Sequence, residues 1–218
     1  MDIAVDPHPT LYLRAFLTEL PQPLGQLATP PRVAELLRLD FQAPIEQPEG
    51  LQQAVRDMLR QGGFKPSGRS KPSSEYLAAT AQAGKMPSIN LVVDLANGIS
   101  LHSGWPISVV DLDRLHPPLC VKIAAPGNRY PFNASGQEID VSGLICLHDQ
   151  QGPCANAVKD AQRVKTGPET HSTLTLIWGC QPFGWHVDQA ERWYRYILGE
   201  LGLRVTEVTL RRTGETVS

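Results

Sequence analysis

No stretch of about 18 uncharged apolar residues occurs in this sequence, so no segment reads as a membrane-spanning helix. The N-terminal MDIAVDPHP has neither the basic nor the apolar region of a secretory leader, and a soluble, cytoplasmic protein is the expectation. An excess of one charge is also missing: 20 Lys and Arg face 22 Asp and Glu, for a net charge of -2. That excludes a histone-like polycation, and any nucleic-acid contact has to come from a local patch. There is no Cys-x-x-Cys pair. Cys120, Cys146, Cys154 and Cys180 are widely spaced, so free, mostly buried thiols are expected, with no metal site and no cofactor. Neither Cys146 nor Cys154 has a base identifiable beside it. Internal repeats, heptads and low-complexity tracts are absent too.

Against these absences, 41% of the residues are apolar and 19% charged, a balance that supports a packed core. The 19 prolines and 18 glycines impose frequent turns and argue against a coiled coil or a simple helical bundle. A single domain over residues 1–218 is expected from the length. Residues 2–6 and 10–20 alternate apolar and polar positions as half-buried strands do. PPRVAELLRLD predicts a short amphipathic helix, and residues 49–60 a second, with Leu51, Val55, Met58 and Leu59 inward and a stop at Gly62-Gly63.

The segment 64–71 is a Gly/Pro/Ser loop carrying Lys65, Arg69 and Lys71 and no acid, and Pro72-Ser73-Ser74-Glu75 reads as a helix start with a hydroxyl cap. Residues 89–103 hold too few charges for a surface helix. They predict a buried helix whose polar stripe, Asn90, Asp94 and Asn97, needs partners inside, stopped by Gly104 and Pro106. Strands are expected at 119–125, 143–149 and 172–179, then a helix over 188–201 and a final strand LRVTEVTL. Helices and strands mix without strict alternation, which favours an α+β fold.

Three stretches carry a more specific signal: GFKPSGRSKPSSEYL, PSINLVVDLANGISLHSGWPISVVDLD and GPETHSTLTLIWG. Together they resemble the B3/B4 domain in the beta subunit of bacterial phenylalanyl-tRNA synthetase, and more closely the stand-alone proteins that consist of that domain. The resemblance implies a three-layer fold with a β-sandwich core and flanking helices. In the synthetase this module hydrolyses tyrosine wrongly attached to phenylalanine tRNA. Asn97 falls on the family's asparagine and Pro106 on the proline of its Gly-x-Pro turn. Ser108 stands where the synthetase domain has a histidine that helps read the tyrosine hydroxyl, and Ile177 about where its glutamate partner would come. A site that reads a hydroxyl loses most of its discrimination without those groups, which points to another amino acid or aminoacyl ester as ligand.

Ester hydrolysis needs a positioned water and donors facing the developing oxyanion, without a dedicated nucleophile. Asn97 is the candidate to orient water or carbonyl. Asp94 is either a base or a buried carboxylate capping backbone amides, and Asn97 itself has a structural alternative. Trp105 is a stacking surface or a packing anchor, in a pocket closed by Pro106, Ser108 and Ile177. Lys65, Arg69 and Lys71 are candidates for the phosphates of a tRNA acceptor end, or a solvated basic loop. Lys159, Arg163 and Lys165 form a second cluster, diluted by Asp160. His102 and His148 rank second, without visible partners. Two readings result: a trans-acting hydrolase that clears mischarged tRNA, or a non-catalytic module binding tRNA or a small amino-acid-like ligand, with neither DNA nor membrane as partner.

Overall fold

A computed structural model describes residues 1–214. The chain runs β1 (Asp2–Val5), β2 (Leu11–Glu19), α1 (Pro31–Glu35), α2 (Leu51–Arg60), α3 (Ser73–Gln82), α4 (Leu91–Ser103) and β3 (Ile107–Asp111). It continues with β4 (Cys120–Ile123), β5 (Arg129–Pro131), β6 (Glu138–Asp140), β7 (Ile145–Asp149) and β8 (Gly152–Asn156). It closes with β9 (Ser172–Cys180), α5 (Gly184–Glu200), β10 (Arg204–Glu207) and β11 (Thr209–Arg212). Among the described residues no helix is long and apolar enough to cross a membrane.

One sheet has the order β11-β1-β4-β7-β8 and the other β10-β2-β9-β3, with β5 and β6 as a separate ribbon. This is the expected α+β architecture. In β9 every residue after Ser172 is buried, because α5 and α2 lie against it and neither face meets water. Trp105, Trp178, Tyr194 and Phe16 are the largest fully buried side chains. The periodic segments β1, β2, β7, β9, α2 and α4 fall where the sequence places them.

The final run LRVTEVTL does not form one strand. It turns at the buried Val208, so that β10 pairs with β2 in one sheet and β11 with β1 in the other. The last helix begins at Gly184, four residues before the expected 188. No hydroxyl caps α3: its N-cap is Pro72, and the Ser73 N–H donates instead to the Ala157 carbonyl at 2.9 Å. α4 is capped by the Asn90 carboxamide, which accepts from the Val93 N–H at 3.0 Å, and it stops at Gly104 with φ of 80°. At Gly62 the chain crosses Gly143 so closely that a Cβ would lie 2.3 Å from the Gly143 carbonyl oxygen, which fixes glycine at the end of α2.

Candidate functional site

The polar stripe of α4 divides as soon as it is built. Asp94 is fully buried, and its carboxylate accepts from Ser88 Oγ at 2.6 Å, the Ile89 N–H at 2.7 Å and Thr29 Oγ1 at 3.2 Å. Those three donors occupy it as an anchor for the segment entering α4, near the positive end of the helix dipole. A base facing substrate is not what this geometry provides. Asn97, one turn later, is half-buried in an open groove of about 560 Å³ between α3 and α4. Among the described residues its carboxamide has no hydrogen-bond partner. Lys71 lies in the same groove, with Lys85 towards the far end of α3.

The turn after α4 is closed. Trp105 is fully buried and donates from Nε1 to His186 Nδ1 at 3.0 Å, so no ring face is open to a base or an amino acid. Pro106 is buried and its carbonyl accepts from the Trp178 N–H at 3.0 Å. The pocket expected around these residues is filled by the protein itself; the open space lies against the N-terminal half of α4.

Ser108 belongs to a buried polar knot. Its hydroxyl donates to Asp160 Oδ1 at 2.8 Å and accepts from Trp178 Nε1 at 2.9 Å. Asn156 completes the knot: its Oδ1 accepts from the N–H groups of Val158 and Lys159 at 2.8 and 2.9 Å, and its Nδ2 donates to the Tyr130 hydroxyl. Tyr130 in turn donates to the Lys159 carbonyl at 2.6 Å. Burial pushes the Asp160 carboxyl up to about 6, against the bonds from Ser108 and the Asn156 N–H and the charge of Lys165. Ile177 does not share this knot. Ser108 sits opposite Leu176 and Ile107 opposite Ile177, so the alternation of the strands turns Ile177 to the other face of the sheet. The carboxylate beside Ser108 is Asp160, a residue the sequence showed only as an acid diluting a basic cluster. Its signal was an acid two residues after the weakly polar, uncharged run Cys154–Val158.

The two basic clusters converge. The Ser73–Ala157 bond docks the end of the 64–71 loop on the segment after β8. Lys159 Nζ lies 4.0 Å from the Phe132 ring centroid, and Lys165 Nζ donates to the Phe132 carbonyl at 2.6 Å. Burial, and then the charges of Arg69 and Lys165, pull the Lys159 ammonium below the usual lysine range. Arg163 stands apart, bound to Asp149 through two 2.7 Å contacts. Lys65 is exposed and joins neither the groove nor the Phe132 cluster.

His102 and His148 each bond a backbone carbonyl, of Leu36 at 2.9 Å and of Cys146 at 3.1 Å, and burial lowers both below the usual histidine value. Burial pushes the thiols of Cys154 and Cys180 up to about 12 and raises Cys146 as well, so none of the three is a thiolate near neutral pH. Among the described residues no group of three or more His, Cys, Asp or Glu is placed to hold a metal ion.

Comparison with known proteins supplies the family. The phenylalanine–tRNA ligase beta subunit of Haemophilus influenzae is 22% identical over 190 residues, covering 83% of this chain and 23% of that protein. The same subunit of Hahella chejuensis is 23% identical over 190 residues, covering 75% of this chain and 23% of that protein. The chain thus matches about a quarter of the length of these relatives. A crystal structure of an N-terminal fragment of the phenylalanyl-tRNA synthetase beta subunit from Pyrococcus horikoshii superposes with a TM-score of 0.53 and 13% identity. It covers 99% of this chain and 53% of that one, a likeness of fold. The family model described as B3/4 domain matches residues 65–198, well over half of the sequence, and the chain belongs to the B3/4 domain family.

Proposed function

We propose that this chain engages tRNA at its acceptor end, using the converged basic face to hold phosphates and the α3–α4 groove to receive the aminoacyl terminus. The observation that carries the proposal is the Ser73–Ala157 bond, which brings Arg69 to Lys159 and Lys165 while leaving Lys71 in the groove with Asn97. Cations held together on one face against their mutual repulsion suit a polyanion. The names of the relatives, phenylalanine–tRNA ligase beta subunits, support tRNA as that polyanion. The acting unit in this proposal is the whole of residues 1–218, since β1 pairs with β11 and β2 with β10.

A second reading, hydrolysis of a mischarged aminoacyl ester, is favoured by the unpartnered carboxamide of Asn97. An amide already aimed into the groove is a donor for a developing oxyanion or a holder of the attacking water. Charging purified tRNAs with non-cognate amino acids and timing deacylation separates the two. If the ester reading holds, wild type accelerates deacylation and Asn97→Ala slows it by about 10²-fold. Wild-type protein that binds tRNA and leaves every ester intact removes the hydrolase and keeps the binding module.

A further inference from the structure

We propose that the α3–α4 groove is a stacking site for one unpaired nucleotide, with the ring of Tyr76 as its platform and Lys71 and Lys85 as flanking phosphate contacts. The inference rests on the tRNA reading above and adds to it a side chain and a ligand class. Tyr76 is 62% exposed and Ile89, in the same groove, 61%. A lone exposed aromatic is ordinary, but here it opens one continuous helical face. Tyr76, Ala79, Thr80 and Ala83 follow one another at i, i+3, i+4 and i+7, and all four line the groove. Beyond the tyrosine that face is narrow, so a flat ring can lie along it.

The backbone beneath the platform is held in place. Arg56 grips Glu75, the neighbour of Tyr76, through two nitrogens at 2.6 and 2.5 Å, which ties the first turn of α3 to α2. The Tyr76 carbonyl accepts from Thr80 Oγ1 at 2.8 Å. Lys71 Nζ lies over one face of the Tyr76 ring, 5.9 Å from its centroid, at the N-terminal end of α3, so that a base has the other face or displaces the ammonium towards its own phosphate. Lys85 follows the C-terminal end of the helix. The two lysines therefore stand beyond opposite ends of a helix of roughly 15 Å, with Tyr76 in its first turn on the Lys71 side. No carboxylate lines the groove among the described residues.

This charge pattern selects the occupant. An apolar helix from a second copy would cover Tyr76 and Ile89 and leave Lys71, Lys85 and Asn97 without partners. A nucleotide satisfies both halves: its base covers the ring, and its phosphates meet the ammonium groups. Stacking on an aromatic side chain tolerates any base, and its contribution survives loss of the phenol hydroxyl.

The test uses full-length protein titrated with a single-stranded RNA trinucleotide, with a trinucleotide abasic at every position as control. Tyr76→Ala should weaken trinucleotide binding by about ten-fold or more, while Tyr76→Phe binds as wild type does. The abasic control should bind weakly and ignore Tyr76→Ala. Trinucleotide binding unchanged within two-fold in Tyr76→Ala overturns the stacking site, and intact tRNA that still binds then leaves the tRNA reading standing. Trinucleotide binding that depends on Tyr76, with no binding of intact tRNA, overturns the tRNA reading and keeps the nucleotide site. Sedimentation showing a dimer that Tyr76→Ala dissociates assigns the groove to a second copy and overturns the proposal. Tyr76 is exposed, so a thermal melt matching wild type should accompany each variant.

Discussion

Asn156 and Asn97 are the same side chain in opposite circumstances. Asn156 is 2% exposed, and both ends of its carboxamide are engaged, by two backbone N–H groups on one side and the Tyr130 hydroxyl on the other. Asn97 is half-buried beside Lys71 and meets no protein partner among the described residues. The first amide is committed to holding the 156–160 loop in shape. The second is available to something else. A polar side chain whose bonds are all made inside the protein is structural, whereas one left unpartnered at an opening is a candidate for binding.

The sharpest way to break the comparison is Asn156→Ala. It removes the acceptor of the buried Val158 N–H and the part-buried Lys159 N–H, together with the donor to the Tyr130 hydroxyl, and should destabilise the fold by about 3 kcal/mol, read from urea unfolding. A loss under about 1 kcal/mol would show that the knot is not structural. On the groove side, Lys71→Ala combined with Lys85→Ala should leave the unfolding midpoint nearly unchanged. It should also make the salt dependence of tRNA binding shallower, by about 1 to 2 in the slope of log K against log salt. Equal slopes would take both lysines out of the interface.

A finer probe is pH. Asp160 is raised in the folded state to about 6, above its unfolded value, so the native protein binds this proton more tightly. Its contribution is therefore fully present below the unfolded value, near pH 4, and is lost as pH rises through about 6. Asp160→Asn keeps an oxygen for Ser108 and the Asn156 N–H and should flatten the pH dependence of stability in that window. A wild-type slope retained in the variant would assign it to other groups. The smallest effect is expected for Asn97→Ala, which should change stability by no more than about 0.5 kcal/mol in the same urea experiment. A larger loss would make Asn97 a second Asn156.

Elements with a strong period were legible from sequence, among them α2, β2, β9 and the apolar α4. The strands β3, β5, β6 and β8 were not. ISVVD follows a Gly-x-Pro turn too closely to stand out, and β5 and β6 have three residues each, too few for a period. GPCAN in β8 opens with two residues disfavoured in strands. At the site, Asn97 and Lys71 were legible because apolar neighbours isolate the one and a like-charged loop surrounds the other. Ser108 was legible as a position, but its partner was not: Asp160 is 52 residues away and reaches it only through the adjacency of β3 and β8. Of the two readings open for Trp105, the structure gives the packing anchor, because the turn is packed against His186.

The placement of β1 has a consequence for folding. Its two neighbours, β4 and β11, both run parallel to it, and β11 begins at Thr209. β1 thus keeps one hydrogen-bonding edge open until more than two hundred residues have followed it. Pairing of such sequence-distant strands is slow, because the whole intervening loop must close before any ladder bond forms. During that interval the edge is a template for other chains. A chain cut just short of Thr209 should therefore be markedly more prone to aggregate, and more open to proteases, than one that includes β11.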